Sequence, residues 1–261
     1  MTAPASVDVA ERVEEGALSL EQSTGYVRAR VSLMIPSGNR MIEPQFRRFA
    51  PDGMGFYVTR LRMTGKHEKP LPGLLEDVAQ TASLLSDAKP DLIGFHCTAT
   101  SMRFGAEGDA RIVETITKET GIPAVSTGVA VTEALQAMGI RRLVLVTPYV
   151  QKTNDHEKHY LHGLGFEVVH DVALGLPNGT YSEVSPGRWI EIVRANSRDA
   201  ADGYFMSCTS TTQIDTVELL ERELGKPVVS SNQAMIWASR NRLAAKLDGK
   251  KPMAGLGRLL A

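Results

Sequence analysis

The sequence predicts an α/β protein of two pseudo-symmetric lobes, each a parallel sheet flanked by helices. Three observations carry that expectation. Residues 91–101 (DLIGFHCTATS) and 202–212 (DGYFMSCTSTT) are each an apolar run ending in Cys-Thr-x-Thr, and the two cysteines of the chain, Cys97 and Cys208, hold matching places. The repeat continues downstream, where a helical stretch leads to 121–126 (GIPAVS) in one copy and 225–230 (GKPVVS) in the other. Short β-branched runs also alternate with longer amphipathic stretches, the pattern of parallel strands covered by helices on both faces.

In chain order, residues 1–25 are acidic without a strong apolar face and read as an N-terminal extension, loose or a short docking helix, outside the core. Strands are expected at 26–35, 55–61, 91–96, 124–126, 142–147, 167–174, 203–207 and 228–230. Helical spacing is clearest over 74–88, 132–138, 185–196, 212–224 and 233–247. Gly139 and Gly225 each sit just past an apolar helix end, ahead of the next strand. No low-complexity linker separates the halves, so the lobes should pack closely and the chain should cross back. Lobe 1 is expected over 26–127, completed by 229–261, and lobe 2 over 128–228.

The chain has 261 residues, 43% of them hydrophobic, enough for one or two substantial cores. A net charge of −1 offers no basic face for nucleic acid or an anionic membrane, which leaves a small molecule as the expected partner. Two cysteines make no disulfide framework, and no stretch approaches the roughly 20 apolar residues that span a bilayer. The first residues lack the basic and apolar regions of a secretory signal. A reduced cytoplasmic protein is expected, with a homo-oligomer left open.

In open parallel sheets, ligands bind beyond the carboxyl ends of the strands, where the repeat puts both Cys-Thr units. A thiol at a strand-to-helix junction has its pKa lowered from about 8.5. Hydroxyls and N–H groups of Thr98, Ala99, Thr100, Thr209 and Ser210 would surround the same spot as an anion site. The simplest ligand is a carboxylate with a thiol on either side. A lone cysteine at a strand end is usually apolar filler, but filler has no reason to recur with its threonines. A zinc site normally needs three or four ligands in close pairs, which these isolated cysteines lack. His156, His159 and His162 read as surface residues of a solvated helix, and strand alternation turns His96 away from the Cys97 thiol. No G-x-S-x-G elbow, P-loop or G-x-G-x-x-G fingerprint follows any strand. The turn at 36–39 (PSGN) is an anion cradle or a plain turn. Tyr149 closes another strand at the rim, as a carboxylate donor or as packing against a helix.

These residues resemble the aspartate/glutamate racemase superfamily, within it the branch of maleate cis-trans isomerases and arylmalonate decarboxylases. The most specific segments are 36–39, the Cys97-Thr98 turn, 146–149 (VTPY), 207–209 (SCT), 225–233 (GKPVVSSNQ) and 255–260 (GLGRLL), and the resemblance covers nearly everything after residue 26. It implies no cofactor, no metal, and an active site between the lobes with one catalytic position on each. Cys97 would then be the nucleophile that adds to a cis-enedioate, and Cys208 the acid/base. Asn39 and Tyr149 would clamp carboxylates, with Thr98, Ala99, Thr209 and Ser210 as further donors. Asn178, in 176–179 (LPNG), approximates a substrate-binding asparagine of the isomerases. Racemases and maleate isomerases resemble this chain in having both cysteines, whereas arylmalonate decarboxylases have glycine at the first. Cys97 therefore argues against an ordinary decarboxylase, although the Thr98 turn, the Cys208 segment and the C-terminal segment look closer to that group. The first expectation is cofactor-independent isomerisation of a small unsaturated dicarboxylate, maleate to fumarate being the type. The alternatives are a decarboxylase of arylmalonate-type diacids, a racemase, or a non-enzymatic carboxylate-binding protein with structural cysteines. Met102, Phe205 and Met206 could line a pocket or fill a core.

Overall fold

The computed structural model describes residues 27–247 and 253–261. The N-terminal extension at 1–25 and Tyr26, the first residue of the first expected strand, lie outside them. One four-stranded sheet contains β1 (Ala29–Pro36), β2 (Met54–Leu61), β3 (Leu92–Phe95) and β4 (Ala124–Ser126) in the order β2-β1-β3-β4. The other contains β5 (Arg142–Thr147), β6 (Glu167–Ala173), β7 (Gly203–Met206) and β8 (Val228–Ser230) and repeats that order as β6-β5-β7-β8. All neighbours are parallel. The connecting helices are α1 (Ile42–Phe49), α2 (Leu71–Ser86), α3 (Thr98–Met102), α4 (Gly105–Thr120), α5 (Thr127–Ala137), α6 (Gln151–Gly163), α7 (Pro186–Ala195), α8 (Val217–Leu224) and α9 (Ser231–Arg242). Among the described residues, no helix is long and apolar enough to cross a membrane.

Alternation along the strands sorts side chains into three clusters. Val31, Leu33 and Ile35 of β1 and Leu143 and Leu145 of β5 share one cluster between the sheets with Ala234, Met235, Ile236 and Ala238 of α9. Met34, Ile93 and Phe95 point the other way, onto Leu74 and Val78 of α2 and Ile112 and Ile116 of α4. Val144, Val146 and Met206 likewise meet Trp189 of α7 and Leu220 of α8. Met102, Phe205 and Met206 are fully buried members of these clusters, so they are core.

The downstream half of the repeat is a device for leaving one helix and starting the next. Gly121 and Gly225 end α4 and α8 in the left-handed region, φ 69° in both, where a side chain is disfavoured. As the last residue of a three-residue strand, Ser126 caps α5 by accepting from Val129 N (3.0 Å), and Ser230, in the same place, caps α9 in a reciprocal pair with Gln233. α5 and α9 then pack on one another at the seam between the sheets.

Two expectations need correction, and one helix had none. α1 was not among the expected helices; it carries Pro44 in its first turn, where proline is tolerated, and Ile42, Phe46 and Phe49 form a buried stripe. The helix expected from 212 begins as a 3-10 turn (Gln213–Thr216), where the Thr216 hydroxyl donates to Gln213 O at 2.7 Å and competes with helical pairing. The helix expected to reach 247 ends at Arg242.

Gly128 in α5 shows how tightly α6 is seated. A Cβ there would lie 2.5 Å from Asp109 Oδ2 and 2.6 Å from the Tyr160 hydroxyl. Tyr160 donates to that oxygen at 3.0 Å and Ser126 donates to it at 2.6 Å, so neither partner retreats without breaking a buried bond. Gly128→Ala is expected to destabilise the protein by about 1–3 kcal/mol. A lowered urea midpoint at unchanged slope would register it, and an unaltered midpoint would contradict it.

Candidate active site

β3 and β7 hold equivalent places in the two sheets, and each reaches a cysteine two residues past its end. Cys97 is the extended residue that precedes α3, φ −152°. Cys208 has φ +119°, a region that disfavours any side chain. Three bonds hold it there. Its N–H donates to Ser231 Oγ (3.1 Å), its carbonyl accepts from the Thr211 hydroxyl (3.2 Å), and its sulfur accepts from Ser210 N (3.3 Å). In the other copy, Thr100 Oγ1 lies 3.1 Å from Cys97 Sγ. The fourth residue of Cys-Thr-x-Thr therefore braces the cysteine in both units.

Ser231 Oγ also accepts from the Thr98 hydroxyl at 2.8 Å, so one buried group at the start of α9 joins the two turns. Beneath it, His96 is hydrogen-bonded to Thr127 Oγ1 (3.0 Å) and Asn232 Oδ1 (2.9 Å), not to either thiol. Burial pushes its pKa down to about 3, which keeps the imidazole neutral. Asn232 donates to Thr209 O at 3.1 Å and Gln45 donates to Thr211 O at 2.7 Å, so neutral amides fix the second turn.

A cavity of about 740 Å³ opens beyond the carboxyl ends of both sheets, and Cys97 and Cys208 both line it. So do Asn39, Ala99, Tyr149, Asn178, Thr209 and Ser210. Thr98 lies behind the wall, its hydroxyl turned to Ser231. Asn39 is 2% exposed, and its amide N–H groups point to Thr209 O and Oγ1, both at 3.1 Å, while its oxygen accepts from Met41 N and Ile42 N. It thus holds the Thr209 turn against the start of α1. Asn178 is exposed at the mouth, against Gly65 of the loop that follows β2.

Burial dominates the electrostatics. It pushes the Cys97 thiol up to about 11, against opposing hydrogen bonds from the Thr100 hydroxyl and N–H. It pushes Cys208 up to about 12, against the Tyr149 hydroxyl and the Ser210 N–H. The lowering expected from a helix start does not prevail, because α3 has only five residues and Cys208 is followed by a turn. Tyr149 is 4% exposed, and burial raises its pKa further above the usual phenol value. At the mouth stand Lys66, Arg103 and Lys152 against one lining carboxylate, Glu68, a balance that draws anions.

α6 departs from the solvated helix that its histidines suggested. Asn154, Glu157, Tyr160 and Leu161 are buried along one face, and His156 lines the cavity. Among the described residues, no group of three or more His, Cys, Asp or Glu is placed to hold a metal ion.

The family model described as arylmalonate decarboxylase matches residues 31–260. The chain belongs to the arylmalonate decarboxylase family. The maleate isomerase of Nocardia farcinica is 28% identical to it over 244 residues, 88% of this chain and 95% of that protein. The arylmalonate decarboxylase of Bordetella bronchiseptica is 26% identical over 232 residues, 88% and 95% of the two chains. A solved structure of a cysteine-to-serine mutant of Nocardia farcinica maleate cis-trans isomerase, with a covalently bound succinylcysteine intermediate, superposes with a TM-score of 0.78. It is 25% identical, with 89% of this chain and 98% of that one covered.

Three features of the candidate site in this member of the arylmalonate decarboxylase family escaped sequence reasoning. Tyr181 packs edge-on against Tyr149, centroids 5.5 Å apart, and lines the cavity from a 3-10 turn (Tyr181–Glu183) without a motif. The loop residues 64–68 close the lobe 1 side. Glu157 was readable in principle, because positions 154, 157, 160 and 161 mark an inward stripe on α6 that places a carboxyl in the interior.

Proposed function

We propose that the protein catalyses cofactor-independent cis-trans isomerisation of a small unsaturated dicarboxylate of the maleate type through a Cys97 adduct. The observation that carries this reading is the pair of thiols, one from each sheet, on a single cavity with a cationic mouth. Cys97 sulfur forms a bond to one alkene carbon while Cys208 delivers a proton to the other and takes up the proton that Cys97 releases. The double bond becomes a single bond and rotates. In the reverse step Cys208 passes its proton to the departing Cys97 sulfur as it takes one from the adduct carbon, the carbon–sulfur bond breaks, and the trans product leaves with both thiols restored. Negative charge develops on the carboxylate beside the protonated carbon, and the Tyr149 hydroxyl and the Thr209 and Ser210 groups are the donors that stabilise it. Asn39 acts through Thr209. Formation of fumarate from maleate, followed by NMR without added metal or cofactor, tests the reading, and its absence would exclude maleate.

Decarboxylation is the second reading, favoured by the family model and by a cavity far larger than a four-carbon diacid. A carbon–carboxylate bond would break, its electrons would enter an enediolate, and Cys208 would protonate the α-carbon and be reprotonated from solvent. Either reaction needs the Tyr149 donor. Tyr149→Phe is expected to lower kcat/KM by about 10²-fold or more with little change in melting temperature. An equal activity would assign that hydroxyl to packing.

A further inference from the structure

We propose that Glu157 is a positioning residue for both thiols: as a neutral carboxyl it steadies the end of β7 and lets the sulfurs ionise, and its own ionisation suppresses them. The catalytic half of this inference rests on the two-thiol reading above; the thiol-reactivity half does not.

Glu157 is 0% exposed, and the Ser207 hydroxyl donates to its Oε1 at 2.9 Å. Ser207 is the residue before Cys208, so this bond anchors the strained cysteine from below. Oε2 is buried without a hydrogen-bond partner, an arrangement that a carboxylate anion would not tolerate. Desolvation accordingly pushes the carboxyl up to about 8, with the Ser207 bond opposing. A charge on Glu157 would act on three groups, raising Cys97, Cys208 and Tyr149.

The cations nearby are Lys66, Arg103 and Lys152 at the mouth of the cavity and Lys158 on α6, and Glu157 forms no ion pair with any of them. α3, which packs on α6, contributes no ionisable side chain over Thr98–Met102. α4 contributes Asp109, whose Oδ2 accepts from Ser126 and Tyr160. Lys158 is turned to Asp171 of β6 at 2.9 Å, and Arg103 is paired with Glu68 at the mouth. A negative charge on Glu157 would thus lie on the inner side of the thiols, away from the cationic mouth, and oppose the thiolate or enediolate of the reaction.

The sign follows directly. Below the pKa of Glu157 its carboxyl is neutral and adds nothing to the burial that opposes each thiol. Above it, the Glu157 carboxylate is an added like charge that each thiol must ionise against. The residue therefore works as a brake on thiolate formation at alkaline pH.

Alkylation of Cys97 and Cys208 by iodoacetamide, followed by peptide mass spectrometry from about pH 6 to about pH 10, reads this without any substrate. Wild type and Glu157→Gln should react alike below about pH 7, and above about pH 8 the variant should react roughly three- to tenfold faster. Ser207→Ala keeps the carboxyl and removes the donor that favours its charged form, so the break in the profile should move to higher pH. Superimposable profiles for wild type and Glu157→Gln, or a variant slower throughout, would overturn the proposal. If Glu157→Gln fails to fold, an unmoved break in Ser207→Ala overturns it alone. In turnover, the ratio of kcat at about pH 9 to kcat at about pH 7 should rise in Glu157→Gln. Thiol profiles that behave as stated in a protein that turns over neither maleate nor a malonate would sink the functional reading and leave the role of Glu157 intact.

Discussion

Cys97→Ala is expected to lower kcat for maleate isomerisation by about 10⁴-fold or more while the fold survives. Rotation about a carbon–carbon double bond is blocked unless an atom adds across it, and the group hydrogen-bonded to that sulfur is the Thr100 hydroxyl, at 3.1 Å. An unactivated hydroxyl is a poor replacement. The removed sulfur is a small part of the outer cluster of lobe 1, so the thermal transition should fall by only a few degrees. The same variant separates the two readings. A decarboxylase that relies on Cys208 would keep most of its activity towards an aryl-substituted malonate. Full isomerase activity in Cys97→Ala would eliminate the adduct.

Cys208→Ser should behave differently, because it removes the proton donor and spares the nucleophile. Turnover is expected to drop by about 10²–10⁴-fold, the range of a lost general acid/base. Addition should still occur, so the intact protein should gain the mass of one maleate, on the peptide that carries Cys97. With a malonate in heavy water, the variant should instead lose both product and α-deuterium. Undiminished turnover, or a modified peptide other than the one with Cys97, would reassign the roles.

The sheets, the lobes' equivalence and the paired thiols were legible because they depend on local rules. Buried parallel strands need apolar runs, helix ends need Gly121 and Gly225, and helix starts need Ser126 and Ser230. Asn39, Ala99, Tyr149, Asn178, Thr209 and Ser210 all reach the cavity because their loops leave the same edge of the two sheets. What the sequence concealed depends on contacts between distant segments. Thr98 and Thr209 look equivalent along the chain, yet Ser231 takes the first hydroxyl away and Asn39 turns the second inward. The raised thiols were hidden for the same reason, since burial comes from both lobes at once and outweighs what a short helix start could do.

Cys208 pays a conformational cost that glycine would not. A side chain at φ +119° is held against the preference of the main chain, and glycine would sit there without that penalty. Under the proposed reading, the chemistry of the sulfur is what offsets that conformational cost. Glycine at this position would relieve the backbone and forfeit the sulfur's bond to Ser210 N, so the turn could outlast the loss of the thiol.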